Sequence, residues 1–433
     1  MDNQPSPTSV FLSRRFFPYF VTQFFGAFND NIYKNTLLIF VAFASVDAIP
    51  MSSTLFINMA AGVFILPFFL FSASAGVLTD QYEKSTLIRW VKFAEIMIMS
   101  LGAISFVTHS YIALLILLFL MGTQSAFFGP VKYALLPQHL HPDELIKGNA
   151  WVETGTFLAI LFGTIGAGFL VAAPHAYTLT AIAVVTFAIF GFISSLFIPK
   201  ANTHIAQARF SWQPIVHTKQ TFRLVKSDNT IYTAIMAISW FWFLGASYLT
   251  QFPNFTKHNL NGDSTSVSFL LALFSVGIAI GSLLCAKLSH HKIRLSLMFI
   301  GGFGISLCSL LLGITTPATS PTPLTITNLL SHVEVYFVIL SLLGLGVCGG
   351  LFIVPLYTLM QTSASDQTRA QVIAANNIYN ALYMVGSAIA GIICLSLLAM
   401  TIPHFFILLG AVNLLMMLVF VNRFKGHTIK QPH

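Results

Sequence analysis

Charge is what this 433-residue sequence has least of. Its 21 Lys and Arg and 13 Asp and Glu amount to 8% of the chain, against 56% hydrophobic residues and a mean hydropathy of +0.81. Soluble domains carry about a quarter charged residues, so the soluble classes are excluded. Cysteine is also scarce: Cys285, Cys308, Cys348 and Cys394 lie far apart with no CxxC spacing, which indicates neither a disulfide framework nor a thiolate metal site. A GxxxxGK[ST] phosphate loop, an HExxH helix and a GxSxG elbow are all missing, and the run from His139 to Asp143 lacks acyltransferase spacing. The chain therefore does not read as an enzyme, and no cofactor or metal is expected.

What it has instead is apolar runs of helical length from end to end, too long and unbroken for the alternating strands of an outer-membrane barrel. They give twelve expected spans, at 16–44, 53–78, 86–107, 110–137, 148–173, 176–198, 229–252, 265–288, 293–313, 334–360, 371–397 and 402–422. The first run carries Asn29, Asp30 and Lys34 and is followed by further spans, so it is not a cleaved signal peptide. The net charge of +8 could suggest nucleic acid, but its distribution points elsewhere. Lys and Arg, among them Lys84, Lys147, Arg209, Lys219, Arg369 and Lys430, gather in the two tails and the even-to-odd connections, whereas the opposite connections hold only Lys257. The positive-inside rule then puts both termini in the cytoplasm.

The longest cytoplasmic connection, residues 199–228, divides the chain into six-span halves at 1–198 and 229–433. Phe210, Trp212, Val216 and Phe222 suggest an amphipathic surface helix there, with a plain basic linker as the alternative. The longest outer connection, Thr315 to His332, reads as an exposed loop. Pro130, Tyr133, Gln138, Asp143 and Asn149 recur in order as Pro355, Tyr357, Gln361, Asp366 and Asn376. Six-helix halves repeated in this way are an architecture of transporters, with the substrate site expected between them near the midplane.

Ionisable residues inside the spans are concentrated in the first half: Asp30, Lys34, Lys92, Glu95, Lys132 and Glu153. Six charges left unpaired in lipid would cost roughly 15 kcal/mol or more, so they must be paired or hydrated. Asp30 and Lys34 stand in the favourable i,i+4 order for an internal pair, and the same site could open to a substrate. Lys92 and Glu95, three apart, can satisfy each other; Lys132 and Glu153 flank one tight hairpin as a salt bridge, a gate or a headgroup contact. The asymmetry suggests a substrate with a charged end held by the first half and an apolar body accommodated by the second. Gly163, Gly166 and Gly168 in span five and Gly277 and Gly281 in span eight read as close helix packing, or as smooth faces that slide or part sideways.

Gly76-Val-Leu-Thr-Asp80-Gln-Tyr-Glu-Lys84 resembles the cytoplasmic loop signature of the major facilitator superfamily, with departures at Gln81 and Glu83. Thr22-Gln-Phe-Phe-Gly-Ala-Phe-Asn-Asp-Asn31, Gly129-Pro-Val-Lys-Tyr-Ala-Leu-Leu-Pro137 and Gly148-Asn-Ala-Trp-Val-Glu-Thr154 resemble the bacterial lysophospholipid transporter family, including the transporter portion of chains fused to an acyltransferase. The match is close over roughly the first 175 residues and architectural beyond. It implies an all-α membrane protein with twelve transmembrane helices in two halves, in a bacterial inner membrane, moving lysophospholipids such as lysophosphatidylethanolamine to the cytoplasmic leaflet for reacylation. Asp30, Lys132 and Glu153 carry over as substrate-binding positions, joined by Asn31 and Lys34 of the same segment, with Gly76, Asp80 and Lys84 as gating residues. The family's basic residue late in span seven would fall near Gln251, which is uncharged, so a headgroup contact from the second half is in doubt. Partners on this reading are the lysolipid, the surrounding membrane lipids and, if any, a separate acyltransferase. Two alternatives stay open: a proton- or sodium-coupled exporter of amphipathic drugs with Asp30 and Glu153 as ion sites, and a transport-inactive scaffold for an acyltransferase.

Overall fold

The computed structural model describes residues 10–43, 52–201, 210–314 and 324–425; Arg209, Lys430 and residues 315–323 of the outer connection lie outside them. Twelve long helices and one shorter one account for most of this length. The first six are α1 (Phe17–Phe43), α2 (Ser53–Gln81), α3 (Lys84–Val107), α4 (Tyr111–His139), α5 (Leu145–Ala172) and α6 (Ala176–Leu196). The shorter α7 (Pro214–Lys226) follows in the central connection. The rest are α8 (Asn229–Asn259), α9 (Ser264–Ser289), α10 (Leu295–Ile314), α11 (Val333–Ser363), α12 (Arg369–Gly391) and α13 (Ile402–Lys425).

Eleven of these helices, α2 to α6 and α8 to α13, are long and apolar enough to cross a membrane. At 27 residues α1 is long enough as well, about 40 Å at ~1.5 Å per residue, but its polar centre lowers its hydropathy. Most boundaries fall within a few residues of the expected spans. Two differ: α8 continues through Pro253 to Asn259, and α12 turns π-helical over Ile392–Leu397. The chain is an all-α, multi-pass membrane protein.

Its contacts form two compact units: Met1–Gly148 with Ala159–Ser227 and Ala364–Ile378, and Asn149–Leu158 with Asp228–Ser363 and Tyr379–His433. Each unit thus includes a short helical segment from the other half of the sequence.

The core of the first unit is built around Tyr33, Leu37, Phe106, Leu114, Met121 and Val184, all buried. The Tyr33 hydroxyl donates to the Leu114 carbonyl at 2.9 Å, so its one polar atom is satisfied among hydrocarbon. Glycine lets the helices close up: a Cβ on Gly102 would meet the Tyr33 ring, and one on Gly163 would meet the Phe28 carbonyl of α1. In the central connection the apolar residues do not all face inward. The buried side of α7 is His217, Thr221 and Val225, with His217 Nδ1 3.0 Å from Ser74 Oγ, while Trp212 and Val216 are exposed.

Glu83 ties this unit together at one end. Its carboxylate accepts from the backbone N–H of Ser85 and Thr86 at the start of α3, from both their hydroxyls, and from the Ala201 N–H where the chain leaves α6, at 2.6 to 3.0 Å. Burial disfavours the charged form, but these donors outweigh it and hold the carboxyl down at about 2. A carboxyl with a depressed pKa stabilises the fold fully above its unfolded value and loses that contribution as pH falls toward the folded one. Glu83→Gln is therefore expected to melt below the parent in detergent at pH 6 to 8, and the gap to narrow as pH falls from about 4.5 toward 2. A gap independent of pH in that window would show that the clamp does not depend on the carboxylate charge.

The second unit is sewn together by small residues. Added Cβ atoms on Gly277 and Gly281 of α9 would run into the backbone of α11 at Leu343 and Val347, and Gly346 and Gly350 of α11 return the contact on α9. In this structure these glycines are engaged in close helix packing, the first of the two readings of the pattern. Polar cross-links add to the packing: Asn413 receives the Trp240 indole N–H at 2.8 Å and donates to the Gly302 carbonyl at 2.8 Å, and Tyr248 donates to Ser309 at 2.6 Å.

Candidate transport site

The polar centre of α1 meets a second polar group on α3 and a third on α4, all inside the first unit. Lys92 and Glu95 form an ion pair of 2.6 Å with both side chains essentially inaccessible, as their i,i+3 spacing predicts. The Lys92 ammonium lies 5.0 Å from the centre of the Phe128 ring, and a Cβ on Gly26 would collide with it, so glycine in α1 makes room for this charge. Glu95 also accepts from Gln124 Nε2 at 3.0 Å and from Asn29 Nδ2 at 3.4 Å; Asn29 donates in addition to the Val184 carbonyl at 3.0 Å. Glu95 thus meets three donors, and the pair reads as structural.

Asp30 is arranged differently. Its Oδ2 accepts from Ser125 Oγ at 2.8 Å, while its Oδ1 is out of solvent contact with no hydrogen-bond partner among the described residues. The expected pair with Lys34 does not form: the described ion pairs do not include it, and Lys34 instead places its ammonium 5.5 Å from the centre of the Phe64 ring on α2. The hydroxyl of Ser125 holds the acid, and an aromatic face holds the cation. Asn31 returns its amide to the Ala27 carbonyl at 2.8 Å and lies where Gly163 of α5 approaches, so it supports helix packing.

Lys132 belongs to the first unit, nearly buried, with its ammonium 4.9 Å from the Tyr133 ring centre and its carbonyl receiving the Tyr19 hydroxyl at 3.1 Å. Glu153 belongs to the second and is fully buried. One turn along α5 from Glu153, Phe157 stacks on Trp242 with ring centres 6.1 Å apart, and the Trp242 indole donates to the Tyr357 hydroxyl at 3.3 Å. Two different positions of the repeated pattern also meet: Asn149 Nδ2 donates to Gln361 Oε1 at 2.7 Å, and Gln361 Nε2 donates back at 3.2 Å.

Gly76, Asp80 and Lys84 converge on the start of α12, whose first residues pack in the first unit. Asp80 accepts the backbone N–H of Ala370 at 2.9 Å and of Gln371 at 3.2 Å, plus Gln371 Nε2 at 3.2 Å, placing a carboxylate on the positive end of that helix. Any side chain at Gly76 would strike Ala370, Gln371 and Ala374. Lys84, buried at the head of α3, lies within electrostatic reach of Asp80, Glu83, Arg369 and Asp366.

The family model that matches this chain, described as Major Facilitator Superfamily, covers residues 16–385. The chain belongs to that superfamily. Among curated proteins it is similar to Lysophospholipid transporter LplT of Pectobacterium carotovorum subsp. carotovorum (strain PC1), 26% identical over 388 residues, covering 87% of this chain and 84% of the relative. The same-named protein of Yersinia pestis (strain Pestoides F) is 25% identical over 377 residues, covering 85% and 83%. Similarity to the lysophospholipid transporters thus extends well past residue 175. Of solved structures, the human organic anion transporter MFSD10 (TETRAN) superposes with a TM-score of 0.71 at 13% identity, covering 96% of this chain and all of that one, a likeness of fold. The protein is a membrane transporter of the major facilitator type. Gln124 and Ser125, which connect Glu95 and Asp30, are not among the residues singled out from the sequence; their signal is the run of three polar residues Thr123-Gln124-Ser125 in an otherwise apolar stretch.

Proposed function

We propose that this facilitator moves lysophospholipids such as lysophosphatidylethanolamine across the bacterial inner membrane to the cytoplasmic leaflet by alternating access, without an enzymatic step of its own. The observation that carries the reading is Asp30: one carboxylate oxygen is held by Ser125, and the other is directed at no protein donor among the described residues. An acceptor so placed suits an incoming ammonium. Lys132 of the same unit supplies the matching cation for a phosphate, and Glu153 is kept as a further acid because the family resemblance carries it over. Similarity to LplT over most of its length supports the substrate class. Gly76, Asp80 and Lys84 act as the gate on this reading, since Asp80 must release the α12 N–H groups whenever that helix end moves. The basic tails and connections support a cytoplasmic position for both termini.

Reconstituted in liposomes and offered labelled lysophosphatidylethanolamine, diacyl phosphatidylethanolamine and a cationic dye, the protein is expected to move the lysolipid alone and without an imposed ion gradient. Lysolipid supplied on the opposite side should arrive at the face carrying the exposed Gln367, which a single Gln367→Cys and an impermeant thiol reagent mark. Dye movement that requires a proton or sodium gradient, with the lysolipid static, would replace this reading with the drug-exporter alternative.

A further inference from the structure

Away from the charged centre, the first unit has a groove of about 450 Å³ between the start of α1 and the end of α6. Its walls are two matched helical stripes. Phe17, Val21 and Phe25 recur every fourth residue on α1, and Phe190 and Ile193 of α6, with Phe197 just past its end, face them across the groove. Phe25 and Phe190 come together with ring centres 5.7 Å apart and close the inner end. The only hydroxyl in the lining, Ser194 Oγ, donates to the Pro18 carbonyl at 2.9 Å, so it offers little to a guest.

Arg14 stands in the lining of this apolar groove. The adjacent Arg15 has its charge engaged, donating to Glu144 at 2.6 Å and to the His139 carbonyl at 3.2 Å. Arg14 is exposed and has no carboxylate within ion-pair distance among the described residues. A guanidinium so placed matches a phosphate bidentately. At ~30 Å³ for each water-sized group, a cavity of this size has room for about fifteen, which suits one hydrocarbon chain and not two.

We infer that this groove is a binding site for a phospholipid of the adjoining leaflet, holding one acyl chain of an anionic diacyl lipid, with the phosphate on Arg14 and the second chain left in the bilayer. The guest is a resident lipid, and the site is separate from the Asp30 region. Charge complementarity chooses the anionic class: a zwitterionic choline head places a cation beside the guanidinium, whereas a glycerol head does not.

Native mass spectrometry of the full chain in mild detergent, titrated with phosphatidylglycerol, phosphatidylcholine and lysophosphatidylglycerol, tests this. The parent should retain phosphatidylglycerol roughly fivefold or more better than phosphatidylcholine, a difference of ~1 kcal/mol. Arg14→Gln should erase that preference, Arg14→Lys should keep part of it, and Val21→Trp, which fills the groove, should weaken both diacyl lipids. An unchanged preference in Arg14→Gln, or unchanged retention in Val21→Trp, would overturn the assignment. Tight binding of lysophosphatidylglycerol with exclusion of the diacyl form would also overturn it and give the groove to single-chain lipids.

Discussion

Asp30→Asn is expected to lower lysophosphatidylethanolamine uptake by roughly tenfold or more, equivalent to ~1.4 kcal/mol of lost differential binding, while membrane abundance stays near that of the parent. The substitution keeps size and preserves an oxygen for Ser125 Oγ, so the 2.8 Å bond that positions the side chain survives. What it removes is the negative charge, and with it the attraction for the substrate ammonium at Oδ1, the oxygen with no partner among the described residues. A ligand shifts a conformational equilibrium only by as much as its affinity differs between the two states, so losing a charge-assisted contact weakens both binding and drive. Lys132→Ala should give a comparable loss through the phosphate. Headgroup choice separates the two: uptake of lysophosphatidylglycerol, which has no ammonium, should fall much less in Asp30→Asn than in Lys132→Ala. Equal losses for both lipids in Asp30→Asn would mean that the residue serves the transport cycle and not the headgroup.

The span pattern was legible because burial in lipid demands long apolar helices, and this demand is written residue by residue. Lys92 and Glu95 were legible for a similar reason, since a charge in an apolar run must find its counter-ion and the i,i+3 partner lies close at hand. The fate of Asp30 and Lys34 was not. Their spacing permits a pair, but the choice is made by Ser125 on α4 and Phe64 on α2, far away in sequence, and a helical period carries no information on which neighbours a fold will supply. The GxxxG pattern marked a close approach without saying to what, and only the fold shows that Gly277 and Gly281 meet α11. The contact units likewise group residues 149–158 and 364–378 with helices remote in sequence, and a helical period does not mark where along a helix such a change of neighbours falls.

Glu95→Ala is expected to have the largest effect on stability, costing about 3 to 5 kcal/mol, the usual penalty for stripping one partner from a buried ion pair. Three donors depend on this carboxylate: the Lys92 ammonium at 2.6 Å, the Gln124 amide at 3.0 Å and the Asn29 amide at 3.4 Å. With Lys92 enclosed by α1, the Phe128 ring and the backbone at Gly26, no water can readily take the place of the lost charge. The ammonium must then stay charged and unpaired or give up its proton, and both options favour the unfolded chain. Replacing the two together, Lys92→Met with Glu95→Met, removes both charges and keeps the volume, so it should recover most of the loss even though Gln124 and Asn29 each forfeit an acceptor. The measurement is thermal unfolding in detergent beside transport in liposomes. If the double variant unfolds as early as Glu95→Ala, the loss comes from the amide contacts and not from the ion pair. If the double variant is stable and carries no lysolipid, the pair belongs to the transport cycle and its structural assignment falls.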